Sequence, residues 1–286
     1  MIETWRLISG PPYESAASGP GGEPAYHMAV DEAVAMAFLE GNAPPTLRIY
    51  RWNAPAVTIG RFQSPDEIDW DACRRLEIPV VRRITGGSAV LHGTDLTYGV
   101  VGGGETSLFR HRAVKETYLM ISRALLQALE RLGLDARPVQ SPPRRGSVPQ
   151  CFGSPSWHEI SVNGRKVVGS AQKRWRAAFL QQGSFPLEFN PEAVCRVFRF
   201  AGEEDRRAAE INLAGKACGL SDCEAGPVRF EALKQAVIAG MEEILGIRLT
   251  GGTLSPPERE TAVRLARGKY SQIQWNLSGK AGPEKV

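Results

Sequence analysis

Nowhere in this chain of 286 residues does an apolar run approach the ~18 to 20 residues that a membrane-spanning helix needs, because polar or charged residues interrupt each one. Cysteine is sparse. The five, Cys73, Cys151, Cys195, Cys218 and Cys223, are odd in number and irregularly spaced, which argues against a secreted disulfide framework and leaves room for a free working thiol. Histidine is sparser still, and His27, His92, His111 and His158 fall at no ligand spacing. Cys218 and Cys223 form a lone C-x4-C without a second pair, so a metal site lacks its ligand set and no metal is expected. No collagen-like or low-complexity period and no internal repeat occurs. The opening segment, Met1 to Leu7, holds Glu3 and Arg6 and runs into Gly and Pro, unlike a signal peptide, so the cytoplasm is the expected location.

The chain does have enough residues and enough apolar content, 42%, to bury a full core. A net charge of +4 suits an acidic protein partner as readily as weak nucleic-acid contact, and decides nothing alone. Ser9 to Pro24 is rich in Gly, Pro and Ser and reads as a loop, and Tyr26 to Glu40 as a helix ending at Gly41-Asn42. Leu47 to Trp52, Ala56 to Ile59 and Pro79 to Ile84 read as strands, and Ala89 to Val101 as one more or a pair. Val114, Tyr118, Ile121, Leu125, Leu129 and Leu132 recur at helical spacing before Gly133, a left-handed cap. Residues 138–150 hold four prolines and form a loop into Cys151. Asn163-Gly164 between EISV and RKVV predicts a type I′ hairpin, pairing Val162 with Arg165, Ser161 with Lys166 and Ile160 with Val167. Asn190-Pro191 opens a short helix, Phe230 to Ile244 a longer one closed near Gly246, and Ser255-Pro256-Pro257-Glu258 resembles a capping box. The expected architecture is α+β, one domain over residues 1–286 with a helical C-terminal end from about residue 228.

Two segments carry candidate chemistry. In RRITGGSAVLHGTDLTYGV, Arg82 to Val100, paired glycines interrupt a β-rich run, either as a plain turn or as a place where a ligand approaches the backbone. The segment is no nucleotide fingerprint: no G-K-[ST] follows, and Gly102-Gly103-Gly104 leads into Glu105 and Ser107. In CFGSPSWHEISVNGRKVVGSAQKR, Cys151 to Arg174, a cysteine stands at the mouth of the Pro-rich loop and Lys166 on the hairpin behind it. A thiol near a cation is a plausible nucleophile, whereas an ordinary cysteine is an inert buried residue. On a straight strand Cys151 would lie ~33 Å from the Lys166 level, so a partnership requires the loop to fold back.

These segments resemble R-R-x-T-G-G-x-A-V-x-H and G-x-K-x-x-G-S-A-Q-x-R, the two motifs of lipoate-assembly acyltransferases in the biotin/lipoate protein ligase superfamily. AYHMAVDEAV and KYSQIQWN are weaker echoes at either end, so the likeness spans nearly the whole chain. CFGSPSWHE resembles the cysteine loop of protein N-octanoyltransferases, which move octanoyl from acyl carrier protein to the lipoyl-carrying H protein of glycine cleavage. The resemblance implies a mixed β-sheet core flanked by helices and no cofactor. It implies Cys151 as nucleophile, with Lys166 lowering the thiol's pKa and orienting the carbonyl. Gly86, Gly87, Ala89 and Val90, with Gly169, Ser170 and Ala171, would line the acyl site, and Arg82 and His92 would be pocket or structural residues. The implied partners are octanoyl-acyl carrier protein and a lipoyl domain or H protein, with neither nucleic acid nor membrane. ATP-dependent lipoate ligases share both motifs but need no thiol. Octanoyl-H-protein amidotransferases use a cysteine but lack T-G-G-x-A-V-L-H. A non-enzymatic lipoyl-domain binder would need neither Cys151 nor Lys166. Ser88 stands where the family pattern has Gly or Arg, Gly99 where it has Ser, and His158 where it has Tyr.

Overall fold

Strand-forming runs separated by glycine and proline turns build two sheets in the computed structural model, which describes residues 2–10, 22–104, 108–110, 112–139, 159–223 and 226–280. The first half comprises β1 (Glu3–Ser9), α1 (Gly22–Leu39), β2 (Thr46–Tyr50), β3 (Ala56–Ile59), α2 (Trp70–Arg75), β4 (Val80–Arg82), β5 (Val90–His92), β6 (Asp95–Gly103), α3 (Val114–Arg131) and β7 (Ala136–Pro138). The second comprises β8 (Ile160–Val162), β9 (Arg165–Arg174), β10 (Ala178–Pro186), α4 (Pro191–Cys195), α5 (Glu203–Lys216), α6 (Phe230–Leu245), β11 (Ile247–Gly251), α7 (Pro256–Leu265) and α8 (Ile273–Ser278).

The larger sheet has eight strands in the order β11-β1-β2-β6-β10-β9-β8-β7, and the smaller has three, β4-β3-β5. Both are mixed: β1 runs parallel to β11 and to β2, and β3 parallel to β4, while the remaining pairs are antiparallel. One face of the large sheet packs on α3 and α6, which cross so closely that a Cβ on Gly240 would come within 2.4 Å of the Ala124 carbonyl. Apolar residues of α1, α7 and α8 form a second core, and the small sheet packs with α4 and α5 on a third.

The local signals act where the sequence places them. Gly133 and Gly246 take positive φ just past α3 and α6, relieving the strain an L side chain would suffer there. Asn163 and Gly164 both take positive φ in the β8–β9 turn. Ser255 and Glu258 form the reciprocal cap of α7, and the Asn190 side chain accepts from the Ala193 N–H at 3.1 Å at the start of α4.

Two expectations are corrected. Ile160 pairs with Val168 rather than Val167, because a bulge between Ile160 and Ser161 inserts an extra β9 residue after Lys166. The C-terminal end is not wholly helical, since β11 lies within it and closes the edge of the large sheet against β1. The loop carrying Cys151, together with Pro155 and His158, lies outside the described residues.

Candidate active site

A narrow slot opens between the small sheet and the middle of the large one. Met28, Tyr50, Trp52 and Val90 give its apolar lining, and Gly169, Ser170, Ala171, Gln182, Gly183 and Ser184 its edge along β9 and β10. It holds about 390 Å³ of free space with its open mouth included.

On the opposite face of the sheet, backbone register braces the strands that border the slot. Gly183 stands opposite both Tyr98 on β6 and Ser170 on β9. A Cβ there would sit 2.4 Å from the Tyr98 ring, so glycine lets that ring cross β10 until its hydroxyl meets Ser170 Oγ at 2.7 Å. The Ser170 carbonyl accepts from Tyr118 at 2.6 Å, which fixes the strand from the helix side as well. Burial pushes the Tyr98 phenol up to about 12, so it serves as a neutral hydrogen-bonding group.

The Gly86-Gly87 turn borders the slot, held from below by Arg83. One Arg83 nitrogen donates to the carbonyls of Gly86 (2.7 Å) and Ser88 (2.8 Å), the other to the carbonyl and hydroxyl of Thr58 (both 3.1 Å). A Cβ on Gly87 would lie 3.7 Å from that of Ala171, whereas one on Gly86 would meet nothing within 4 Å. Ser88 joins this arrangement through its carbonyl.

Arg82 lies elsewhere. Its guanidinium donates to the carbonyls of Gly60, Gln63, Asn276 and Leu277, and its backbone N–H to the Asn276 side chain at 2.8 Å. It thus ties the small sheet to α8 and is absent from the slot's lining. The KYSQIQWN segment docks the same end: Lys269 and Tyr270 reach Glu32 on α1 at 2.7 and 2.6 Å, and Trp275 donates to the Arg82 carbonyl at 2.8 Å. Neighbouring residues of a strand point to opposite sides, so only one of the two arginines can face the slot. The sequence does not say which.

Polar groups at the slot are largely engaged with each other. Trp52 and His92 stack at 4.2 Å, and the indole donates to Thr97 Oγ1 at 2.8 Å. Asp95 accepts at one oxygen from His92 Nδ1 (2.8 Å), Thr97 (2.8 Å) and Ser184 (2.6 Å), and at the other from the Gly93 N–H (2.9 Å). Burial alone would raise its carboxyl, but the attraction of His92 and hydrogen bonds from His92, Ser184 and Gly93 hold it below the usual range. Val90 and His92 line the slot, while Ala89 packs into the core beneath the small sheet.

A second network braces Gln182. Its amide donates to Asp31 Oδ2 at 2.6 Å and its carbonyl accepts from Thr85 at 2.7 Å. Asp31 pairs with Arg48 at 2.6 Å, and Arg48 donates to His27 Nδ1 at 2.7 Å, so the ring's other nitrogen donates to Glu23 at 3.0 Å. A Cβ on Gly99 lies 3.3 Å from Asp31 Oδ1, so the glycine there leaves the carboxylate to Arg48 and Gln182.

Burial is the main reason that His27 titrates at about 4 rather than 6.5, its hydrogen bond to Glu23 opposing the shift and Arg48 adding to it. The unfolded chain therefore binds a proton at this site between pH 6.5 and 4 that the folded chain does not, and stability falls as pH falls through that window. An offset that large is worth about 3 kcal/mol. In urea melts the loss between pH 7 and pH 4.5 is expected to shrink in His27→Gln. The contribution from Asp95, a depressed carboxyl, is lost only at more acidic pH. Equal losses in the two proteins would assign the acid sensitivity to other groups.

Lys166 is the second residue of β9, about 10 Å from Gly169 at roughly 3.3 Å per residue. Its ammonium meets Glu159 at 2.5 Å, and both side chains are buried. The structure thus brings Val90, His92, Gly169, Ser170 and Ala171 to one slot, sets the paired glycines at its border, and places Lys166 farther along the same strand. Sequence reasoning missed Arg83, Asp95, Gln182 and Glu159. Arg83 and Asp95 lie inside RRITGGSAVLHGTDLTYGV and Glu159 ends CFGSPSWHE, so the motifs carried three of them without a role, and Gln182 lies outside both.

The Lipoyl protein ligase A/B catalytic domain matches residues 23–242. Octanoyltransferase LipM of Kyrpidia tusciae is 41% identical over 282 residues, 96% of this chain and 99% of that protein, and its Bacillus subtilis counterpart is 35% identical over 286 residues, 96% and 98% of the two chains. A bi-partite lipoate protein ligase from Thermoplasma acidophilum, from a structural study with its E2 lipoyl domain, superposes with a TM-score of 0.81 at 26% identity over all of both chains. Lipoate-protein ligase A bound with ATP gives 0.75 at 25% identity, covering 97% of this chain and 99% of that one. The chain belongs to the lipoyl protein ligase A/B catalytic domain family, and within it is a member of the octanoyltransferase group.

Proposed function

We propose that this protein transfers an octanoyl group from acyl carrier protein, through a thioester on Cys151, to a lysine amine of a lipoyl domain such as glycine cleavage H protein, in lipoate biosynthesis. The observation that carries the reading is the narrow slot along β9, with Lys166 buried on the same strand and paired to Glu159. Cys151 precedes Glu159, that lysine's partner, by eight residues in the sequence. An unbranched eight-carbon chain suits a slot with this apolar lining. Burying its methylene groups, at about 0.8 kcal/mol each, supplies about 5 kcal/mol of binding without polar recognition.

In the first step the Cys151 thiolate attacks the donor thioester carbonyl, the C–S bond to the carrier breaks, and the carrier thiolate takes up a proton. In the second the acceptor amine attacks the acyl-enzyme, an amide forms, and the Cys151 thiol is regenerated. Lys166 would stabilise the thiolate and the developing oxyanion. Activation resides in the donor thioester, so the reading includes no cofactor. It places the catalytic machinery in one domain over residues 1–286, supported by the pairing of β1 with β11 from opposite ends of the chain. The same reading assigns the cytoplasm and includes neither nucleic acid nor membrane. No described helix is long and apolar enough to cross a membrane.

Brief incubation with octanoyl-acyl carrier protein, without ATP, is expected to give a hydroxylamine-labile octanoyl adduct visible by intact mass. No adduct, but modification of a lipoyl domain on addition of ATP and free octanoate, would instead identify an acid-activating ligase.

A further inference from the structure

Glu159 and Lys166 form an ion pair that is almost wholly removed from water, with side chains 4% and 5% exposed and 2.5 Å between Oε1 and Nζ. Desolvating two charges is expensive, and even a well-made pair adds little stability over an apolar pair of similar volume. Its geometry is nevertheless specified by the backbone on both sides. Ser161 stands opposite Lys166 in the β8–β9 ladder, and Glu159, two residues away along that chain, lies on the same side of it. The bulge follows Lys166 directly, so the lysine precedes the break in alternation and Val167 and Val168 both enter the core.

Each partner's main chain is pinned independently. The Lys166 carbonyl accepts from the Cys218 N–H at 3.1 Å beside a bridge to Ala217, and the Glu159 carbonyl accepts from the Val139 N–H at 2.7 Å. The carboxylate then fixes the far end of a side chain that otherwise has four rotatable bonds. A lysine on a flexible stem is an imprecise catalyst, and loss of about an ångström in placement lowers rates by as much as a hundredfold.

We propose that Glu159 is a positioning residue for acyl transfer, acting through Lys166 by holding its amino group fixed in direction as charge develops on Cys151 and the acyl oxygen. This rests on the reading of Lys166 given above. Glu159 itself touches neither substrate nor thiol in this account. It adds a counter-ion whose removal takes away this contact and leaves the lysine present.

The test is single-turnover acylation by octanoyl-acyl carrier protein, followed by intact mass, in wild type, E159Q, E159D, K166A and the double variant E159Q/K166A, with melting curves for each. The expected result is a 10- to 100-fold slower acylation in E159Q, partial recovery in E159D, and no further loss when E159Q is added to K166A. A purely structural Glu159 would instead slow K166A by the same factor as wild type, and that additivity would overturn the proposal. Wild-type acylation in E159Q, with K166A slow, would overturn it while leaving the lysine's role standing. Wild-type acylation in K166A would remove Lys166 from catalysis and the proposal with it. Should K166A not fold, E159Q against E159D decides: equal rates overturn the positioning role, and an aspartate advantage of tenfold supports it.

Discussion

Cys151→Ala is expected to eliminate the octanoyl adduct and to lower transfer on the order of a thousandfold or more, the scale set by removal of a nucleophile from a concerted catalytic unit. The prediction is sharp because no described cysteine offers a substitute. Cys73, Cys195, Cys218 and Cys223 are all buried. Burial pushes the thiols of Cys73 and Cys195 up to about 11, with Asp69 and Glu210 reinforcing it, and burial beside Cys223 takes Cys218 to about 12. A thiol so far above neutrality is present as thiolate in negligible amount, and the thiolate is the attacking species. A brief alkylation with iodoacetamide is therefore expected to modify Cys151 and to spare the other four. Acyl donor added first should protect it. Full transfer by Cys151→Ala would exclude the thioester route and favour acid activation.

Sequence periodicity locates elements whose stability is local. The α3 and α6 helices, their glycine stops, the Asn163-Gly164 hairpin and the Ser255 cap each depend on residues within one or two turns. Helix α5 escapes this reading because it carries little apolar surface: only Ala209 and Leu213 are buried in a run dominated by charge, so its place is set by packing on the small sheet. Strand β11 escapes because five residues after a helix cap become a strand only when β1, from the other end of the chain, is there to pair. The Ile160 register fails for a related reason. Turn geometry fixes pairing beside the turn, but a bulge one step farther depends on what the two faces must bury.

The site divides along the same line. Gly86-Gly87, His92, Lys166 and Gly169 to Ala171 are visible in the sequence because they form contiguous runs with the family's residue types. Glu159 and Gln182 acquire roles only through folding: the side chain of one pairs with Lys166 across a hairpin, the other lies between Asp31 and Thr85, which come from different elements. Arg83 rather than Arg82 holds the glycine turn because strand alternation turns one towards the slot and the other towards α8.

Gly60 is the most exacting glycine of the site, although it lies outside both motifs. A Cβ there would come within 1.7 Å of the Gly87 carbonyl oxygen and 2.8 Å of its carbon, distances at which backbone must move. The turn has little freedom to do so, since Arg83 holds the carbonyls of Gly86 and Ser88, and the Arg61 N–H donates to the Thr85 carbonyl at 2.8 Å. Gly87 takes a φ of +86°, so the turn occupies a conformation that does not relax easily into another. Gly60→Ala is therefore expected to destabilise the fold by about 2 to 3 kcal/mol, the scale of overpacking against rigid neighbours. It should also raise the KM for octanoyl donor by tenfold or more, because a turn displaced from Gly60 moves towards Ala171 and the channel. Gly86→Ala is the control for stability: its added Cβ meets nothing within 4 Å, so its urea midpoint should stay near wild type. A Gly60→Ala protein with wild-type midpoint and KM would show that the turn yields freely, and would remove the close backbone contact from any account of how the channel is held open.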